Sequence, residues 1–215
     1  MPLNHSVVFD RIRQLITTDR AVSQCMSEII GLCAADVPHS DWATLAAIEY
    51  DADVEALRSW IPGVFSQQKA PFPIRGLFVD LCNPGTPEGQ IWADMELMAT
   101  PHYDAADAEC AWMLDKQRFY PKDAPANSAV LRSIYGIAYG SHEFGRKIPN
   151  KLENDAEWPL NLAYGALAIR TMLTGQANEF VDATSPGIGV AVGFGDGDMI
   201  TIGELSASGF TVATA

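Results

Sequence analysis

Basic residues are scarce in this chain. Lysine and arginine total 14 against 27 aspartates and glutamates, for a formal net charge of −13. General nucleic-acid binders need basic charge to displace phosphate counterions, and this chain lacks it. The same shortage argues against a polybasic membrane-surface protein. Long apolar runs are also missing: none approaches the roughly 18 residues of a bilayer-spanning helix. The start, Met1-Pro2-Leu3-Asn4-His5, has no basic stretch leading into an apolar core, so no secretory signal is expected and cytoplasm is the default compartment. Cysteine is sparse and unpatterned. Cys25, Cys33, Cys82 and Cys110 form no CxxC pair and sit among apolar neighbours, so they read as buried small hydrophobes, not as a zinc site or disulfide framework. What remains is 48% hydrophobic and 19% charged, the make-up of a folded domain.

The apolar pattern divides the chain into helical and extended stretches. Val8, Ile12, Leu15 and Ile16 repeat at helical spacing, and Asp19 is a candidate cap for a second helix carrying Val22 to Cys33. Trp42 to Tyr50 reads as a strand, followed by a short helix that Asp53 opens and Pro62-Gly63 stops. Ile74–Cys82 and Ile91–Thr100 flank the turn-rich Asn83-to-Gly89 segment and predict a hairpin. Ala108–Gln117 suggests one helix, and Ser128 caps another that turns Leu131, Ile134 and Ala138 inward. The longest helix begins near Asp155, carries Pro159 in its first turn, ends before Gly175 and is apolar on nearly all sides, so it should be central. Ile188–Phe194 and Met199–Leu205 flank an Asp-Gly turn and predict a second hairpin, with Phe210–Ala213 as a last strand. The expected fold is a single α+β domain over 1–215, a mostly antiparallel sheet packed against several helices.

Familiar catalytic signatures are absent. The glycines from Gly187 to Gly197 open no helix and end in no Lys-Ser/Thr, so strand and turn glycines account for them better than a phosphate loop. Asp196 and Asp198 lack the ligand series of a calcium loop. His5, His39, His102 and His142 fall at no HExxH spacing, and no G-x-S-x-G elbow accompanies Ser141 and His142. The five tryptophans fall in separate elements, which suits core anchoring better than base stacking.

The acids carry the clearest signal. Residues alternate faces along a strand, which groups Asp94 with Glu96, and Asp80 with Phe78 and Cys82, on single faces. With Glu49 ending the strand before, Glu49, Asp80, Asp94 and Glu96 are expected to form an accessible carboxylate patch, provided the register brings those faces together. Three readings stay open: the solvated side of a sheet, a docking surface for a basic protein, or a metal or general-acid site of a small hydrolase with His102 nearby. Charge by segment favours docking. Residues 36–60 hold six acids and one base, and residues 121–150 hold two acids and four bases, an asymmetry that promotes oriented association.

The string Gly193-Phe194-Gly195-Asp196-Gly197-Asp198-Met199-Ile200-Thr201-Ile202-Gly203 resembles strings in small bacterial immunity proteins of polymorphic toxin systems. That resemblance implies a cytosolic, acidic α+β domain that neutralises a basic partner, such as a toxin or nuclease, by binding it, without catalysis or cofactor. It assigns no role to any single residue.

Overall fold

A computed structural model describes residues 2–107, 110–114, 116–174, 187–195 and 197–213. Helix α1 (His5–Ile16) begins at Asn4, whose side chain accepts the Val7 N–H, and buries Val8, Ile12, Leu15 and Ile16. Helix α2 (Val22–Asp36) starts after Ala21, not at Asp19. Its orphan Ser23 N–H is taken by the Asp51 carboxylate at 3.2 Å, so the cap arrives from a distant segment.

The stretch expected to be a strand, Trp42–Tyr50, is instead helix α3 (Asp41–Ala46) followed by a turn. Trp42 and Leu45 are both buried at i,i+3 spacing, and the alanines between them favour the helix. Helix α4 runs Tyr50–Leu57, with Asp53 inside it and not at its start. Helix α5 (Trp60–Gln67) takes in Pro62-Gly63, because a proline in the first turn lacks only an N–H that would have no intrahelical partner there.

Strands β1 (Gly76–Cys82) and β2 (Asp94–Thr100) form the first expected hairpin. In place of a helix over 108–117 there is a 3-10 turn at Ala111–Leu114; Ala108, Glu109 and Asp115 lie outside the described residues. Helix α6 (Ala129–Tyr139) is capped by Ser128 as its sequence indicates, its Oγ accepting the Leu131 N–H, and ends at Gly140 with φ of 70°. Helix α7 (Asn154–Thr174) buries every residue from Ala156 to Arg170. Pro159 is its sixth residue, one turn deeper than expected, and Gly175 lies outside the described residues. Strands β3 (Ile188–Gly193), β4 (Met199–Ser206) and β5 (Gly209–Val212) complete the sheet.

The fold is α+β. Sheet order is β2-β1-β3-β4-β5, antiparallel except for the parallel β1/β3 pair. One face packs Leu77, Val79, Leu81, Met95, Leu97, Val190 and Val192 against the helical layer, with α7 at its centre. The opposite face carries a small cluster of Phe78, Met98 and Ala191 beneath Cys110, Trp112 and Met113. Two glycines make room there. A Cβ at Gly76 would lie 2.4 Å from the Trp112 ring, and one at Gly189 would lie 2.0 Å from the Tyr103 ring. The covering segment therefore rests its two aromatics directly on bare backbone.

Two buried carboxylates fix α6 against this frame. Asp53 accepts the Ser128 hydroxyl at 2.7 Å, the Tyr164 hydroxyl at 2.6 Å and the N–H groups of Ala129 and Val130. Asp94 accepts the N–H groups of Asn127 and Ser128, both at 3.2 Å. Together they satisfy the donors at the helix start, where the dipole also favours negative charge. Arg170 closes the other kind of end. Its buried guanidinium donates to the carbonyls of Leu15, Ile16, Thr18 and Arg20, where α1 runs out of partners.

Candidate functional site

The strand register decides which acids meet. Glu96 stands directly opposite Asp80, and Asp80 stands beside Gly193, so one row across the sheet reads Glu96, Asp80, Gly193, Met199. The row lies on the face turned away from the helices, just beyond the patch that Trp112 and Met113 cover. Like charges directly opposed across two strands are destabilising. The turn after β3 offers partial relief, since the Gly195 N–H donates to Asp80 Oδ1 at 2.9 Å. Glu96 stays exposed.

The next row contains Cys82 and Asp94, paired across the same strands. Burial pushes the Cys82 thiol up to about 12, and the charges of Glu96, Asp80 and Asp94 push in the same direction. The charges of these three acids therefore bear on one half-buried thiol. Asp94 nevertheless differs from its neighbours. It is 2% exposed, where an accessible side chain was expected, because its oxygens are occupied by backbone N–H groups at the start of α6. Burial raises its pKa, and the hydrogen bonds from Met95, Ser128 and Asn127 pull against that rise.

Glu49 departs further from expectation. It is exposed but lies in the turn before α4, within the helical layer, because its segment is helix and turn instead of strand. His102 also stands apart from the patch. It follows the far end of β2, and four residues of strand put Thr100 about 13 Å from Glu96. Among the described residues, no three His, Cys, Asp or Glu side chains stand close enough to hold a metal ion.

A second acidic feature was invisible to strand periodicity. Segments of β4, β5, α1 and residues 103–107 enclose a cleft of about 580 Å³, walled by the carboxylates of Asp107, Asp198 and Glu204 together with Arg13. Strict alternation would group Glu204 with Ile200 and Ile202, which face the core. A register irregularity between β3 and β4 reverses this, pairing Glu204 with Gly189 and sending Leu205 inward. Burial raises the pKa of the Tyr103 hydroxyl beside it, with Glu204 the next cause. Asp198, in the turn of the second hairpin, receives the Trp158 indole N–H at 2.9 Å, tying this wall to α7. Asp196, in the same turn, lies outside the described residues.

No family model, curated protein or solved structure matches this chain.

Proposed function

We propose that this protein is a non-catalytic binding domain of the inhibitor or immunity type, which receives a basic protein partner on the acidic face of its sheet. The observation that carries this reading is the Asp80–Glu96 pair, two like-charged residues set directly opposite each other on neighbouring strands. A lysine or arginine from a partner would relieve that repulsion and gain charge-assisted hydrogen bonds. The net charge of −13 acts over a longer range, speeding the approach of a basic protein and making binding sensitive to salt. A toxin or nuclease suits this chemistry, because carboxylates stand in for the phosphates that such an enzyme recognises. Cytoplasmic residence follows from the same reading.

The test is affinity capture from the native host at low salt, followed by elution with rising salt. The reading expects a basic protein that elutes as salt rises and is lost when Asp80→Lys and Glu96→Lys are combined. A partner retained equally by that double variant would remove the acidic row from the account.

A further inference from the structure

The sheet ends, among the described residues, at β2 on one side and at β5 on the other. Among the described residues, β5 has β4 as its one strand neighbour. The Ala213 N–H donates to the Ile202 carbonyl at 3.0 Å, so by alternation Thr211 and Gly209 also turn their amides toward β4. Phe210 and Val212 then direct their N–H and C=O groups outward. A free edge of this kind is a template for another strand unless it is blunted.

The surroundings of the edge define what fits. Thr211 and Val212 line the cleft of about 580 Å³ described above, so the edge opens into a space large enough for side chains. The two sides of that space differ in chemistry. On the helical side, Phe9 and the largely buried Ile16 of α1 join Val212 in a mostly apolar wall, with Arg13 beside them. On the other side, Glu204 lies opposite Thr211 in the β4/β5 ladder and Asp107 shares its cleft, while Asp198 is held toward α7 by the Trp158 indole. A strand added to β5 would alternate its side chains between these two walls.

We propose that the outer edge of β5 receives an extended segment of the basic partner, with apolar residues toward Phe9 and Ile16 alternating with lysine or arginine toward Glu204. This rests on the proposed binding of a basic partner and specifies how one part of that partner is seated. Backbone pairing with Phe210 and Val212 supplies hydrogen bonds that any sequence can make, and the two walls supply the preference for alternation. Charge complementarity selects a basic segment over an acidic one.

The probe is a short capped peptide of alternating lysine and valine, compared with the same peptide N-methylated on alternate backbone amides. Binding is read by fluorescence anisotropy on the full chain, and amide hydrogen exchange is followed at Phe210 and Val212. The peptide should slow exchange at both amides. Val212→Pro removes an outward N–H while sparing the β4 ladder, as edge strands tolerate, and should weaken binding about tenfold. Val212→Ala keeps the amide and controls for packing, so it should bind nearly as well as the native chain. The N-methylated peptide keeps one unmodified edge, so it should bind more weakly through the single strand direction left to it, and methylating both alternate sets of amides should abolish binding.

Binding undiminished by Val212→Pro but lost on Asp80→Lys/Glu96→Lys would overturn the strand seat while leaving the acidic-face reading intact. No peptide binding by a chain that still captures a salt-sensitive partner through Asp80 and Glu96 would do the same. Absence of both would overturn both. A dimer of the native chain that Val212→Pro dissolves would assign the edge to a second copy and also overturn the proposal.

Discussion

Replacing Asp53 with alanine should be among the most damaging single changes to this fold. Its carboxylate is 9% exposed and receives two hydroxyls, from Ser128 at 2.7 Å and Tyr164 at 2.6 Å, and two backbone N–H groups at the start of α6. A hydrogen bond to a charged group contributes about 1.5–3 kcal/mol, and a buried donor left without its acceptor costs about 1–3 kcal/mol. These losses overlap, since Ser128 retains its own cap bond to Leu131, so the sum is smaller than four separate bonds. The expected destabilisation is about 3–5 kcal/mol, the range reached when a buried network is broken. For a chain of this length that lowers Tm by roughly 6–20 °C. Asp53→Asn should fall between, because its amide group would present donors to donors. Asp51→Ala is the control: Asp51 is exposed and accepts one N–H, from Ser23, so its loss should cost about 1 kcal/mol or less. The assay is urea unfolding at neutral pH followed by tryptophan fluorescence, comparing midpoints at constant slope. An Asp53→Ala protein within about 1 kcal/mol of the native chain would refute the claim that this carboxylate anchors α6.

Three further outcomes follow from the sheet. Asp80→Asn combined with Glu96→Gln should lower the pKa of Cys82 from its value of about 12 and speed its alkylation at mildly alkaline pH, whereas unchanged labelling would deny that these charges reach the thiol. Asp94 has a folded-state pKa above its ordinary 3.8, so the folded protein holds this proton more tightly than the unfolded chain. Its stabilising contribution is therefore complete below the unfolded value and lost as pH rises through the folded value, and Asp94→Asn should flatten the stability–pH curve in that window. Gly189→Ala should displace the Tyr103 ring and destabilise by about 1–3 kcal/mol, an effect that thermal unfolding should find reduced when Tyr103→Ser is added, because the overlap has been removed.

Much of this architecture could be read from residue order, and the failures have identifiable causes. Helix α7 announced itself through a stretch apolar on nearly all sides, and Ser128 through its position before an apolar helix. Both hairpins followed from turn residues between β-rich runs. Trp42–Tyr50 misled because a short amphipathic helix and a short strand offer equally few apolar positions, and tertiary packing decided between them. Alternation assigned Asp80 and Glu96 to strand faces, but only the register sets them directly opposite each other. Asp94 has the same parity as Glu96, yet the start of α6 arrives from more than thirty residues away to take its oxygens. No local pattern records that encounter. Glu204 was hidden for a different reason: one register irregularity reversed the parity on which every face assignment depends.

The central claim is that the acidic row of the sheet, and not overall acidity, receives a basic partner. It is tested most directly by measuring association and dissociation rates of the captured partner with two variants of equal net charge. One carries Asp80→Lys and Glu96→Lys in the row; the other carries Asp10→Lys and Glu55→Lys, both exposed on helices α1 and α4. The account predicts that the row variant loses binding at every salt concentration, through slower association and faster release, whereas the helix variant shows a modest slowing of association that salt abolishes. Equal losses in the two variants would contradict it.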